Sequence, residues 1–368
     1  MDVDRRHVMA GMAGLAIAGC SKARAPDDHA TPTDNGTTDN GGAEHVGAEN
    51  STAIEPTTLP ATGAANGVNW ATFRQRFMAD DGRIVDNGNG GVSHSEGQSY
   101  GLLLSQAAGD RAAFDKILGW TEAKLARPDV ALYGWRYDPR AANPVADRNN
   151  ATDGDLLIAY ALAKAANRWR DPHYAVRSRA IVAAISTRLV KTVGGRMLLL
   201  PGLDGFSTAA RTTINPCYYV WPALDLFAKS GNAAVWRRVI TDGEALIAAA
   251  RFGAHQLPTD WIDVSNTGAI APAADKPPRF GFDAIRVPLF ASVSGRSTLI
   301  EPIRTWWRSM PAEQIPAWTD VVSGQSAEYP LSVGGRAVVS RTLGTRAPDT
   351  LANDYYAAAL QGLAAAFP

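Results

Sequence analysis

The sequence predicts an all-α domain in two layers, an inner ring of helices wrapped by an outer one. Three observations lead there. Composition turns globular at Trp70 and stays so to Phe367, so the last 300 or so residues form one domain. Apolar residues recur at helical spacing, while strand-like alternation is scarce. Stretches that are apolar nearly all round alternate roughly with amphipathic ones, a pattern that two concentric layers satisfy.

The first segment lies outside that domain. Asp4-Arg5-Arg6-His7 precedes an apolar run from Val8 to Gly19, which is too short to span a bilayer as a mature helix. Ile17-Ala18-Gly19-Cys20 resembles a bacterial lipobox, and Arg5-Arg6 resembles a twin-arginine export signal. Residues 1–20 are therefore expected to be an export and lipoprotein signal with Cys20 as the lipidation site. The bland alternative is an ordinary cleaved signal. Residues 21–66 hold Ala, Thr, Asp, Asn, Gly and Pro with almost no large apolar side chain, as expected of a disordered tether. Residues 67–368 remain as the folded domain. Cys217, the other cysteine, is expected to be a small buried hydrophobe.

Within the domain, Tyr100, Leu103, Leu104, Ala107 and Ala108 mark one helix face, and Leu156 to Trp169 reads as a helix buried among others. Further helices are expected near 112–126, 174–191, 217–229, 233–250, 284–295, 297–309 and 353–366. Met197–Leu200 and Ala337–Val339 are the best short strands. Gly- and Asn-rich loops such as Asp86 to Gly91 join the helices and are where a site would be built.

Charge excludes some functions. With 36 basic and 36 acidic residues and no basic run, nothing points to nucleic acid. Ten Trp and ten Tyr suit either a core or platforms on which sugar rings stack. There is no His-Glu-x-x-His, Cys-x-x-Cys, Gly-x-Ser-x-Gly or P-loop, so no metal and no cofactor is expected.

Three carboxylates stand where a loop becomes a helix. Ser95 and Gln98 have capping-box spacing, which places Glu96 in a first helical turn between glycines that admit a ligand. Thr152 and Asp155 make a second capping pattern around Asp153, with Asp155 structural. Asp283 and Arg286 share a face if a turn begins there, and the guanidinium would keep Asp283 ionised, as a general base requires. Each has a plain alternative: Glu96 and Asp153 serve the helix dipole, and Asp283 forms a structural ion pair. His94 is a minor candidate base.

Taken together, Ala151 to Ala165 ending at Trp169, Ser93-His94-Ser95-Glu96-Gly97-Gln98 and Asp283-Ala284-Ile285-Arg286-Val287-Pro288 resemble the signature, acid and base motifs of glycoside hydrolase family 8. The resemblance covers about Trp70 to the C-terminus. Asn149 to Asp155, Arg279-Phe280 and Pro288-Leu289 point within the family to the periplasmic endoglucanase that accompanies bacterial cellulose synthase.

The resemblance implies an (α/α)6 barrel of six inner and six outer helices with a few short strands in loops. It implies inverting, endo-acting hydrolysis of β-1,4-glucan, with Glu96 as general acid and Asp283 as general base. Asp153 would hold the sugar in the −1 subsite, Arg286 orient Asp283, Trp135 offer a stacking platform and Tyr218 line the catalytic centre. Glu96 would keep its proton in a drier setting while Asp283 beside Arg286 lost its own. Members often carry Tyr before the base; Phe282 stands there instead, one hydroxyl fewer near the attacking water. The expected partners are a glucan chain, the cellulose synthase complex, and the membrane only through a lipid anchor at the cell envelope. Other readings are a chitosanase or xylanase of the same family, and a weakly active glucan-binding accessory protein.

Overall fold

The computed structural model describes residues 70–367; the leader, Cys20 and the stretch 21–66 lie outside them. Eleven α-helices are present among the described residues. They are α1 (Trp70–Phe77), α2 (Ser95–Ala108), α3 (Arg111–Leu125), α4 (Thr152–Trp169), α5 (Pro172–Arg188) and α6 (Trp221–Phe227), followed by α7 (Ala233–Ala249), α8 (Arg286–Val293), α9 (Glu301–Arg308), α10 (Val333–Leu343) and α11 (Tyr355–Ala366). None is long and apolar enough to cross a membrane.

Six of them make a closed ring. Helix α2 packs on α4, α4 on α6, α6 on α8, α8 on α10, α10 on α11, and α11 returns to α2. These are the helices buried nearly all round: α4 buries every residue from Thr152 to Leu162. Helices α1, α3, α5, α7 and α9 lie outside and bury one face each, which gives the two layers of an (α/α)6 barrel with five outer helices rather than six among the described residues, because the link from α10 to α11 is non-helical.

Small residues set the spacing inside the ring. A methyl on Gly334 of α10 would lie 2.2 Å from the Ala357 carbonyl of α11. The alanine-rich face of α11 and these glycines let backbones approach where Leu would hold them apart. Outer helices start on ordinary caps. Asp110 accepts from the Ala113 amide and Asp171 from the His173 amide, with Pro172 in the first turn.

Short antiparallel strands decorate the loops. β1 (Ser93–His94) pairs with β2 (Arg136–Tyr137), β3 (Val190–Val193) with β4 (Arg196–Leu199), β5 (Arg211–Ile214) with β6 (Ile262–Ser265), β6 with β7 (Ile270–Pro272), and β8 (Arg279–Phe280) with β9 (Thr319–Asp320).

Three local expectations differ. Ala337–Val339 is not a strand but the middle of α10, where β-branched residues fill an inner-helix face. The stretch 217–229 is not one helix: a 3₁₀ turn at Pro216–Tyr218 precedes α6. Neither capping box forms, because each helix starts one residue earlier than the pattern assumed. His94 and Ala151 occupy the cap positions without side-chain caps. Gln98 instead accepts from the Ile84 amide and donates to Thr121, and the Thr152 hydroxyl donates to the Leu200 carbonyl.

Candidate active site

The inner helices α2, α4 and α8 begin at the same end of the barrel, so the first turns that carry Glu96, Asp153 and Arg286 converge. Partial positive charge at these helix starts favours carboxylates there. Close approach of α2 and α4 depends on Gly154: a Cβ there would lie 2.6 Å from the Ser95 hydroxyl and 2.8 Å from the Glu96 amide.

One guanidinium organises the centre. Arg286 is 3% exposed, and its Nη1 meets the Glu96 carboxylate, the Tyr100 hydroxyl at 2.8 Å and the Asp153 carboxylate at 3.1 Å. Its Nη2 meets Asp283 at 2.5 Å. Glu96 and Asp283 therefore sit on different nitrogens of the fork, with its width between them. Asn215, at the end of the β5 loop, donates to the other oxygen of Asp283 at 3.2 Å. The Tyr356 hydroxyl of α11 donates to the Phe282 carbonyl, so the backbone beside the base is tethered by an inner helix two places round the ring.

Three carboxyls around one cation cannot all ionise freely. Burial pushes Asp153 well above the usual carboxylate range, and the neighbouring Glu96 charge adds to it. Glu96 falls below its ordinary value: burial raises it, but Arg286 and a hydrogen bond with Asp153 outweigh that. Asp283 is raised by removal from water, against the pull of Arg286. These directions run opposite to those expected of Glu96 and Asp283 when each is considered with a single partner. Burial and the Glu96 charge favour a proton on Asp153 over one on Glu96, and the two carboxyls are coupled.

The other expected site residues are placed as follows. Tyr218 ends the 3₁₀ turn, close enough to Asp153 and Asp283 to feel their charges, with its ring edge-on to Trp261 at 6.2 Å. Trp135 is 6% exposed; its ring stacks on His94 at 6.1 Å and its indole N–H donates to Asp147. His94 is buried, and burial lowers it to about 4, so it is neutral near pH 7. Asp155 is structural as expected, accepting from the Tyr133 amide and Asn150. Cys217 is free and buried. Among the described residues no cluster of His, Cys, Asp and Glu has the form of a metal site.

Sequence reasoning did not single out Tyr100, Asn215 or Tyr356. Asn215 carried one visible signal, an Asn before Pro at the head of the Tyr218 motif, and its side chain caps that turn through the Cys217 amide.

Three carboxyls gathered on one guanidinium at the end of an (α/α)6 barrel supply the kind of groups that glycoside hydrolysis by paired carboxyls uses. The chain belongs to glycosyl hydrolases family 8, whose sequence profile matches residues 53–365. It is 43% identical over 276 residues to an endoglucanase of Cellulomonas uda, covering 75% of this chain and 77% of that one. It is 40% identical over 300 residues to a probable endoglucanase of Novacetimonas hansenii, covering 79% and 87%. Among solved structures, endoglucanase Cel10 of Klebsiella pneumoniae, a family 8 glycosyl hydrolase, superposes with a TM-score of 0.78 at 42% identity over 80% of this chain and 96% of that one. The endo-β-1,4-glucanase CMCax of Acetobacter xylinum does so with a TM-score of 0.77 at 38% identity, over 80% and 95%.

Proposed function

We propose that the protein is an endo-acting β-1,4-glucanase in which Glu96 protonates the leaving glycosidic oxygen and Asp283 activates the attacking water. The observation that carries the residue roles is the Arg286 fork, which binds Glu96 through one nitrogen and Asp283 through the other. Inverting hydrolysis needs about 6.5–9.5 Å between acid and base to admit a water. The Glu96–Asp153 pair stores the proton; a sugar seated against Asp153 and displacing Arg286 from Glu96 moves that proton to the acid. Asp283, with Arg286 on one oxygen and Asn215 on the other, is oriented as the base. Tyr218 and the neighbouring Trp261 wall the sugar site, and Trp135 supports the acid from behind through the Ser95 amide, which donates to its carbonyl.

A single displacement inverts the β-bond, so the new reducing end first carries the α-anomer. Proton NMR on a cello-oligosaccharide digest in its first minutes checks this, alongside a reducing-sugar assay on a soluble cellulose derivative. Early accumulation of the β-anomer overturns the role of Asp283; no turnover with retained binding supports a glucan-binding accessory protein instead.

The proposed setting is the cell envelope, with the chain exported, anchored through lipid on Cys20 and acting on glucan emerging from a cellulose synthase complex. The lipobox-like segment and the Asn149–Asp155 motif support this. Cys20→Ser is expected to abolish incorporation of a labelled fatty acid and to move the protein to the soluble periplasmic fraction. A native protein that takes no label excludes the anchor and leaves the catalytic reading intact.

A further inference from the structure

Asp260 lies on the strand-to-loop segment before β6, outside every motif discussed above, yet its carboxylate is wrapped by the base loop. Its Oδ1 accepts from the backbone amides of Gly281 at 3.1 Å, Asp283 at 3.1 Å and Ala284 at 2.7 Å. Its own amide donates to the Arg279 carbonyl at 2.7 Å. The amides it takes belong to a turn that leads directly into α8, with Ile285 bonded back to Gly281 and Arg286 to Asp283. Such first-turn amides have no partner within their own helix and need an outside acceptor. A cap normally comes from the residue just before the helix. Here it comes from more than twenty residues upstream, and one of the three amides is that of Asp283 itself.

We propose that Asp260 is a positioning residue for the general base, fixing the backbone of residues 281–284 so that the Asp283 side chain points at the attacking water. The proposal rests on the reading of Asp283 as base. The loop is otherwise held at its two ends. The pairing of β8 with β9 fixes Arg279 and Phe280, and α8 begins at Arg286. Between them, Tyr356 holds the Phe282 carbonyl and Asp260 holds the amides on either side. Gly281 belongs to the same device. A Cβ there would sit 2.6 Å from Oδ2 of Asp260, so only glycine lets the carboxylate reach this far under the loop. Asp260 and Asp283 also lie close enough to affect each other's charge: removal from water and the Asp283 charge push Asp260 up to about 7.

The test is steady-state kinetics of Asp260→Ala, Asp260→Asn, Gly281→Ala and Asp283→Asn on a soluble cellulose derivative, with folding followed by circular dichroism. Asp260→Ala is expected to lower kcat about 100-fold or more with KM within threefold, because substrate contacts are untouched while the base swings free. Asp260→Asn keeps an acceptor oxygen and is expected to recover at least tenfold of that loss. Gly281→Ala displaces the carboxylate without removing it, and is expected to lower kcat at least tenfold. In combination with Asp260→Ala it should add little, since both act on one contact. If Asp260→Ala does not fold, Gly281→Ala and Asp260→Asn carry the test. A loss confined to KM, or kcat within threefold of native for both Asp260→Ala and Gly281→Ala, overturns the proposal. If Asp283→Asn is inactive in that same experiment, only the positioning idea falls; if Asp283→Asn is active, the base assignment beneath it falls.

Discussion

Glu96→Gln and Asp283→Asn are each expected to lower kcat by about 10²–10⁴-fold, the range that general acid and base groups supply. Neither substitution changes side-chain volume much. Both retain an oxygen that can accept from Arg286, so the fold should persist. The two should differ in what rescues them. A substrate with an acidic phenol leaving group needs no proton, so it should restore Glu96→Gln far more than Asp283→Asn. Stopped assays on both substrates, with circular dichroism as the folding check, measure this. Activity within tenfold of native on the natural β-1,4-glucan for either variant rejects the assignment.

The second large effect is expected from Arg286→Met. Breaking a buried ion pair by deleting one partner costs about 3–5 kcal/mol, because the remaining charge is left uncompensated. Here three carboxyls lose their shared cation at once. The cost should depend on pH, with a definite sign. Arg286 now holds Glu96 below its ordinary value. Without it, burial raises Glu96 and raises Asp283 and Asp153 further. A carboxyl raised in the folded state favours folding only below its unfolded value, about 4, and that advantage is lost as pH climbs through the folded value. The deficit relative to native should therefore be small near pH 4 and full near pH 8. Urea unfolding at both pH values measures it. Equal deficits at the two, or native stability at pH 8, would show that the carboxyls do not depend on this guanidinium.

What the sequence made legible follows from range. Asp283 and Arg286 are three residues apart, and their pairing needed only a helical turn. Glu96 and Asp153 were visible because glycines and polar residues mark a loop entering an apolar helix. That they meet at one guanidinium was not visible, since Arg286 lies 190 residues from Glu96 and 133 from Asp153. Asn215, Asp260 and Tyr356 escaped for the same reason: each reaches the base or its loop from another segment, 68, 21–24 and 74 residues away, beyond the range of a local pattern. The two capping patterns were real in spacing but off in frame. Once inner helices abut at Gly154, cap hydroxyls have little room to fold back. The expected protonation order drew on less than the whole cluster. It treated each carboxyl with its nearest partner, whereas the fork joins them into one titrating unit.

The ring closes between α11 and α2, and this seam bears directly on the site. Asn87 donates to the Asn353 carbonyl and accepts from the Tyr355 amide, and Arg76 reaches the carbonyls of Leu351 and Ala352. These bonds join stretches some 270 residues apart along the chain, beside the helix that presents Glu96. Without α11 the acid has one flank bare and the base loop lacks Tyr356. The two helices at this seam therefore frame the acid and the base together, and the site stands or falls with it.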